Sequence, residues 1–144
     1  MEFVQQNINW NAEPNAPMPK VEIKEGSSKI VLTFYMNAFM YENVDEDDIG
    51  VIEFDNCLKF RIGSTNDEGF YRGQCRFAQT GVEWGEFYRI VNSNWKEYFP
   101  SDEVAVDANL EHSTELNHYL FYFRDETFEC IAESYSFKIK SASV

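Results

Sequence analysis

Polar side chains able to move protons or grip a ligand gather at three places in otherwise apolar sequence. These are Asn66, Asp67 and Glu68; Asn92 with Ser93, just ahead of Trp95; and His118 with Asp125, Thr127 and Glu129. Carboxylates beside a histidine can act as general acid and base, and the same oxygens can hold a cation or a small polar ligand. The ligand-binding candidates are therefore Asn66, Asp67, Glu68, Asn92, His118, Asp125 and Glu129. Against a site stands a local role: Asn, Asp, Ser and Thr also cap turns and helices through bonds to backbone amides.

No familiar catalytic signature accompanies them. The chain has no Gly-x-Ser-x-Gly, no phosphate loop, no dinucleotide glycine pattern and no His-Glu-x-x-His. The two histidines, His112 and His118, lie in or beside an acidic stretch with no nucleophile motif near them. Cys57, Cys75 and Cys130 are odd in number and form no Cys-x-x-Cys, so neither a disulfide framework nor a zinc site is expected; buried free thiols are. From Glu42 to Asp48 five carboxylates stand among seven residues. Mutual repulsion makes this run a solvated loop rather than a cation site. No cofactor and no metal are expected.

The elements that must position these residues are strands. In 144 residues, 13 Phe, 8 Tyr and 3 Trp supply ample material for one core. Even positions from Ile30 to Met40 are apolar throughout, the period-two signature of a strand with one face buried. Ile52, Phe54, Leu58, Phe60 and Ile62 resume the alternation, with Asp55-Asn56 either a two-residue hairpin turn or a bend. Further strands are predicted over 2–10, around Val21 and Ile23, over Phe70–Phe77, over Glu86–Val91 and in a C-terminal hairpin turning at Asp125. In that hairpin the apolar parity changes between Ala132 and Tyr135, which calls for a one-residue bulge near Glu133. One short helix is predicted near 94–99, ended by Pro100, and 101–117 reads as a long loop. The expected fold is a single mainly β domain over 1–144, an antiparallel sandwich or barrel-like sheet.

Three stretches carry a resemblance: Gly63-Ser64-Thr65-Asn66-Asp67-Glu68-Gly69, Gly85 through Trp95 with its Val-Asn-Ser-x-Trp, and His118 through Ala132 with its Asp-x-Thr-Phe-Glu-Cys. In order and spacing they resemble a family of small uncharacterised bacterial proteins with no established activity, over about Ile49 to Ala132. In that family a Pro precedes the Asn-Asp-Glu, where this chain has Thr65, and a His stands in place of Arg124. The resemblance implies that the three polar segments line one edge of the sheet. Without the second histidine, His118 alone remains for metal or proton transfer.

Charge narrows the partners. Twelve Lys plus Arg against 25 Asp plus Glu give a net charge of -13, which opposes binding to phosphate backbones and anionic membranes. No apolar segment of signal or membrane-spanning length is present, so a cytoplasmic chain is expected. Small size, acidity, aromatic richness and missing catalytic motifs together favour a protein-binding module, of immunity or inhibitor type, acting on a basic partner. A homo-oligomeric module is the alternative, with the second face of the Ile30–Tyr41 strand buried between copies. A small-ligand or metal-assisted enzyme built on the clustered Asp, Glu, Asn and His residues is the third.

Overall fold

A computed structural model describes residues 2–64, 81–123 and 125–142. The strand expected over Phe70–Phe77, the turn before it, Cys75 and the candidates Asn66, Asp67 and Glu68 lie outside the described residues. Eight strands are described: β1 (Glu2–Gln5), β2 (Lys20–Ile23), β3 (Ile30–Tyr35), β4 (Ile49–Ser64), β5 (Glu86–Val91), β6 (Val104–Ala105), β7 (Asn117–Tyr122) and β8 (Glu126–Lys140). A four-residue helix, α1 (Trp95–Tyr98), falls where the sequence places it.

All eight strands join one antiparallel sheet in the order β1-β5-β7-β8-β4-β3-β2, with β6 added beside β4. Two distinct end strands, β1 and β2, leave it open rather than closed as a barrel. Its spine is the β4–β8 ladder, running from Ile49 opposite Lys140 to Ser64 opposite Glu126. Alternation puts Leu32, Phe34, Ile52, Phe54, Phe121 and Phe128 on one face, where they form the buried core. The opposite face buries a smaller cluster of Tyr88, Ile90, Leu120 and Tyr122.

The Asp55-Asn56 pair does not turn the chain; β4 runs through it. Asn56 takes a left-handed conformation, φ 50°, and faces Glu133, to which its amide donates at 2.6 Å. Both residues drop out of the ladder, and the register then shifts between Cys57 and Lys59. Because both strands kink together, Ala132 and Tyr135 reach the same core despite opposite parity. The irregularity expected near Glu133 is thus shared with the residue expected to make a hairpin.

Two strands are shorter than their apolar patterns suggest. The chain leaves β3 after Tyr35, because Asn37 accepts the Phe39 amide at 3.1 Å and forms a side-chain-capped turn. Phe39 and Met40, expected on the strand, stand 85% and 67% exposed in this turn. Strand β1 ends at Gln5, and the following segment crosses the end of the sheet. Trp10 stacks flat on Phe137 with ring centres 4.0 Å apart. Ala12 then bonds Gly85 at 3.1 Å while Glu13 bonds Tyr35 at 2.9 Å, linking β5 to β3. The Gln5, Asn7 and Asn11 amides all donate to the Glu86 carboxylate, which fixes this crossing by replacing the water the buried anion loses.

The stretch expected as a long loop is pinned to β4. Strand β6 pairs with Lys59 and Phe60, and the Val106 and Asp107 amides donate to Leu58 at 2.9 and 3.1 Å. Lys59 meets Glu103 at 2.8 Å and Arg61 meets Asp102 at 3.0 Å. The Arg61 bond holds the Asp102 carboxyl below its usual range. Among the described residues no helix is long and apolar enough to cross a membrane.

Candidate functional site

Of the candidates predicted from sequence, His118 and Glu129 meet. Both point to the face opposite the main core, from the neighbouring strands β7 and β8, and His118 Nε2 lies 2.9 Å from the Glu129 carboxylate. Exposures of 1% and 2% place the pair in the protein interior. His118 Nδ1 lies 2.6 Å from the Ser93 hydroxyl, whose oxygen also accepts the Trp95 amide at 3.2 Å. In the neutral ring the carboxylate fixes the proton on Nε2, and Nδ1 accepts from Ser93. Phe99 packs its ring 5.8 Å from the imidazole centre.

Asn92 adopts φ 57°, a left-handed conformation that Asn tolerates, and its turn delivers Ser93 from β5 to the histidine. Asp125 does not join them. It is exposed in the β7–β8 turn, four extended residues from Glu129, or about 13 Å along the strand. Ser93 stands among the polar candidates of the sequence beside Asn92. Nothing in the spacing pairs it with a histidine 25 positions away.

A hydroxyl, an imidazole and a carboxylate in line are the parts of a nucleophile relay. Here the imidazole is sealed and one hydroxyl lone pair is taken by Trp95, so the chain serves as a tie. It fastens the 92–99 segment to β7 and β8. Cys57 and Cys130 are likewise buried free thiols, and burial pushes the Cys130 thiol well up, which leaves it inert. Among the described residues no cluster of three or more His, Cys, Asp or Glu is placed to hold a metal ion.

Two grooves open on the surface of the described residues, beside the 92–99 segment and beside β3. One, of about 300 Å³, runs between Leu58, Lys59, Trp95, Lys96, Glu103 and His112. Its central cation is already engaged: Lys59 pairs with Glu103 and lies 4.9 Å from the Phe99 ring centre and 5.6 Å from that of Trp95. The other, of about 370 Å³, has an apolar floor of Met18, Tyr35, Met36, Ala38 and Phe39 and a rim of Glu13, Glu46 and Asp47. Met18 is 58% exposed and Tyr35 39%. Met18 also holds φ 48°, a conformation costing a side-chain-bearing residue about 1–2 kcal/mol. Asp47, at φ 69°, is a second left-handed residue on this groove.

No family model, no curated protein and no solved structure matches the chain. The functional reading therefore rests on geometry, and the second groove is where exposed apolar side chains and carboxylates come together. The sequence signals it only as an aromatic second face of the Ile30–Tyr41 segment. None of the candidate site residues lines it.

Proposed function

We propose that this chain is an acidic protein-binding module whose groove beside Met18 and Phe39 receives a basic partner. The supporting observation is the meeting of large exposed apolar side chains with carboxylates. Met18, Tyr35, Phe39 and Met40 are all exposed in one neighbourhood, and Glu13, Glu46 and Asp47 rim it. Apolar anchors encircled by charge are how protein interfaces combine affinity with selectivity. The left-handed Met18 adds to this: folding would be served as well by Gly or Asn, whereas a partner is served by an exposed thioether that adapts to its surface.

A net charge of -13 steers a basic protein toward the module and speeds encounter at low salt. An immunity-type or inhibitor protein, covering the working surface of a basic toxin or enzyme in a bacterial cytoplasm, fits the size and the acidity. The polar segment around His118 then has a structural task and lies outside the contact.

The test compares three immobilised baits: the native chain, M18A/F39A, and E46Q/D47Q. A basic protein from the source cell that the native chain retains and both variants release, with retention weakening as salt rises, supports the reading. Recovery of the same proteins by all three baits refutes it. Because all four positions are exposed, the variants keep the fold, and circular dichroism checks that.

A further inference from the structure

The groove is one half of a larger patch. Strand register places Lys138, Val51, Thr33 and Lys20 in one row across β8, β4, β3 and β2, and Lys140, Ile49 and Tyr35 in the next. Tyr135, Phe137 and Ile139 pack against the core, so alternation turns Lys138 and Lys140 to the other face. Val51 is covered there, at 8% exposure, while Lys20, Lys138 and Lys140 are exposed. A shallow depression bounded by Met18, Lys20, Thr33, Tyr35 and Ile49 joins this lysine side to the groove through Met18 and Tyr35. The patch therefore reads, along the strands, as carboxylates at Glu46 and Asp47, an apolar ridge at Met18 and Tyr35, then lysines.

No ion pair of the described residues neutralises either flank, although Lys138 lies close enough to Glu53 to act on its carboxylate. Among the described residues the ion pairs of this region use Lys29 with Glu53 and Asp55, and none uses Lys20, Lys138, Lys140, Glu46 or Asp47. A basic partner satisfies only the carboxylate flank and repels the lysines. An acidic one does the reverse. A surface of the same layout turned through two-fold symmetry satisfies both at once, because each lysine row then faces the other copy's carboxylates while the ridges meet at the axis.

We infer that the ridge of Met18 and Tyr35 is the centre of a two-fold homodimer, with Lys20 and Lys138 of each copy facing Glu46 and Asp47 of the other. Rows about 7 Å apart along the strands set the offset between ridge and lysines, a distance an extended lysine spans. The net charge of -13 on each copy opposes approach, so the dimer is weak and fills as protein concentration rises. If the partner reading also holds, the two states exclude each other, since both use Met18 and the same carboxylates. Self-association would then hold the module in reserve.

Analytical ultracentrifugation over a concentration series, from micromolar to millimolar, tests this. The native chain is expected to pass from monomer to dimer. K20E/K138E weakens the dimer constant about tenfold or more by placing like charges together. Adding E46K/D47K to that same chain restores the pairing with reversed sign, and with it the dimer. A native chain that stays monomeric at millimolar concentration overturns the inference, as does a dimer indifferent to K20E/K138E, or a four-fold swap that fails to restore association in a folded protein. Since K20E/K138E leaves Met18, Phe39, Glu46 and Asp47 in place, a monomeric native chain that still captures a basic partner separates this inference from the proposed function.

Discussion

Replacing His118 and Glu129 singly and together measures whether the buried polar chain behaves as one unit. His118→Leu keeps most of the volume but leaves the Glu129 carboxylate buried without the ring nitrogen at 2.9 Å. Leaving a buried carboxylate without its ring N–H donor costs about 1–3 kcal/mol. Glu129→Leu strands an imidazole N–H instead, at about 1–3 kcal/mol. The singles thus sum to about 2–6 kcal/mol, set against a stability of about 5–15 kcal/mol expected of a small domain. In H118L/E129L the two groups no longer strand each other, while the Ser93 hydroxyl still loses its acceptor, which keeps part of the cost. The double variant should therefore cost less than the sum by about 1–3 kcal/mol. Urea unfolding of all four proteins, followed by circular dichroism and Trp fluorescence with equal m-values, closes the cycle. A coupling below about 0.5 kcal/mol in folded variants would refute the claim that the two side chains work as one tie.

Two further outcomes are expected. Met18→Gly relieves the left-handed backbone and should raise stability by about 0.5–1 kcal/mol in urea titration, while weakening partner capture; a loss of stability would show that Met18 is held by packing instead. Burial pushes the Tyr119 phenol up to about 12, and Tyr88 and Tyr135 shift in the same direction for the same reason. A raised folded-state pKa gives stability that is complete below the unfolded value of about 10 and lost as pH rises through the folded one. Tyr119 alone accounts for about 2–3 kcal/mol of this loss. Tyrosinate absorbance at about pH 11 should therefore stay incomplete until the chain unfolds, and full reversible titration of every tyrosine in the native state would contradict it.

The sequence made strand character and the main core face legible, because period-two alternation is a strong signal wherever one face is buried. Ile30 to Tyr35 and Ile52 to Ile62 were read in this way. Alternation cannot say where a strand stops when apolar residues continue past it, so the pattern puts Met40 inside, whereas it stands outside. Its turn is made by one Asn37 side-chain bond that no periodicity records. Asn56 shows the converse: a residue that favours turns is absorbed into a kink because Glu133 kinks opposite it. The His118–Glu129 meeting follows from both lying on one face of a hairpin. Ser93 arrives through β5, from outside that hairpin, and needed the structure. The lysine and carboxylate flanks were beyond sequence reading for the same reason, since Lys20 and Lys138 share a row across the sheet only through strand order.

The ladder between β4 and β8 also sets the order of events as the chain is made. Strand β4 can pair with β3 almost at once, but its other side waits for β8, with Ile49 matched to a lysine at position 140. Contacts so far apart in sequence make folding slow, and a half-paired strand carrying Ile52, Phe54 and Phe60 is a template for unwanted pairing meanwhile. The acidic run from Glu42 to Asp48 emerges immediately ahead of that strand. It travels with the exposed edge during the whole wait, a gatekeeper by charge.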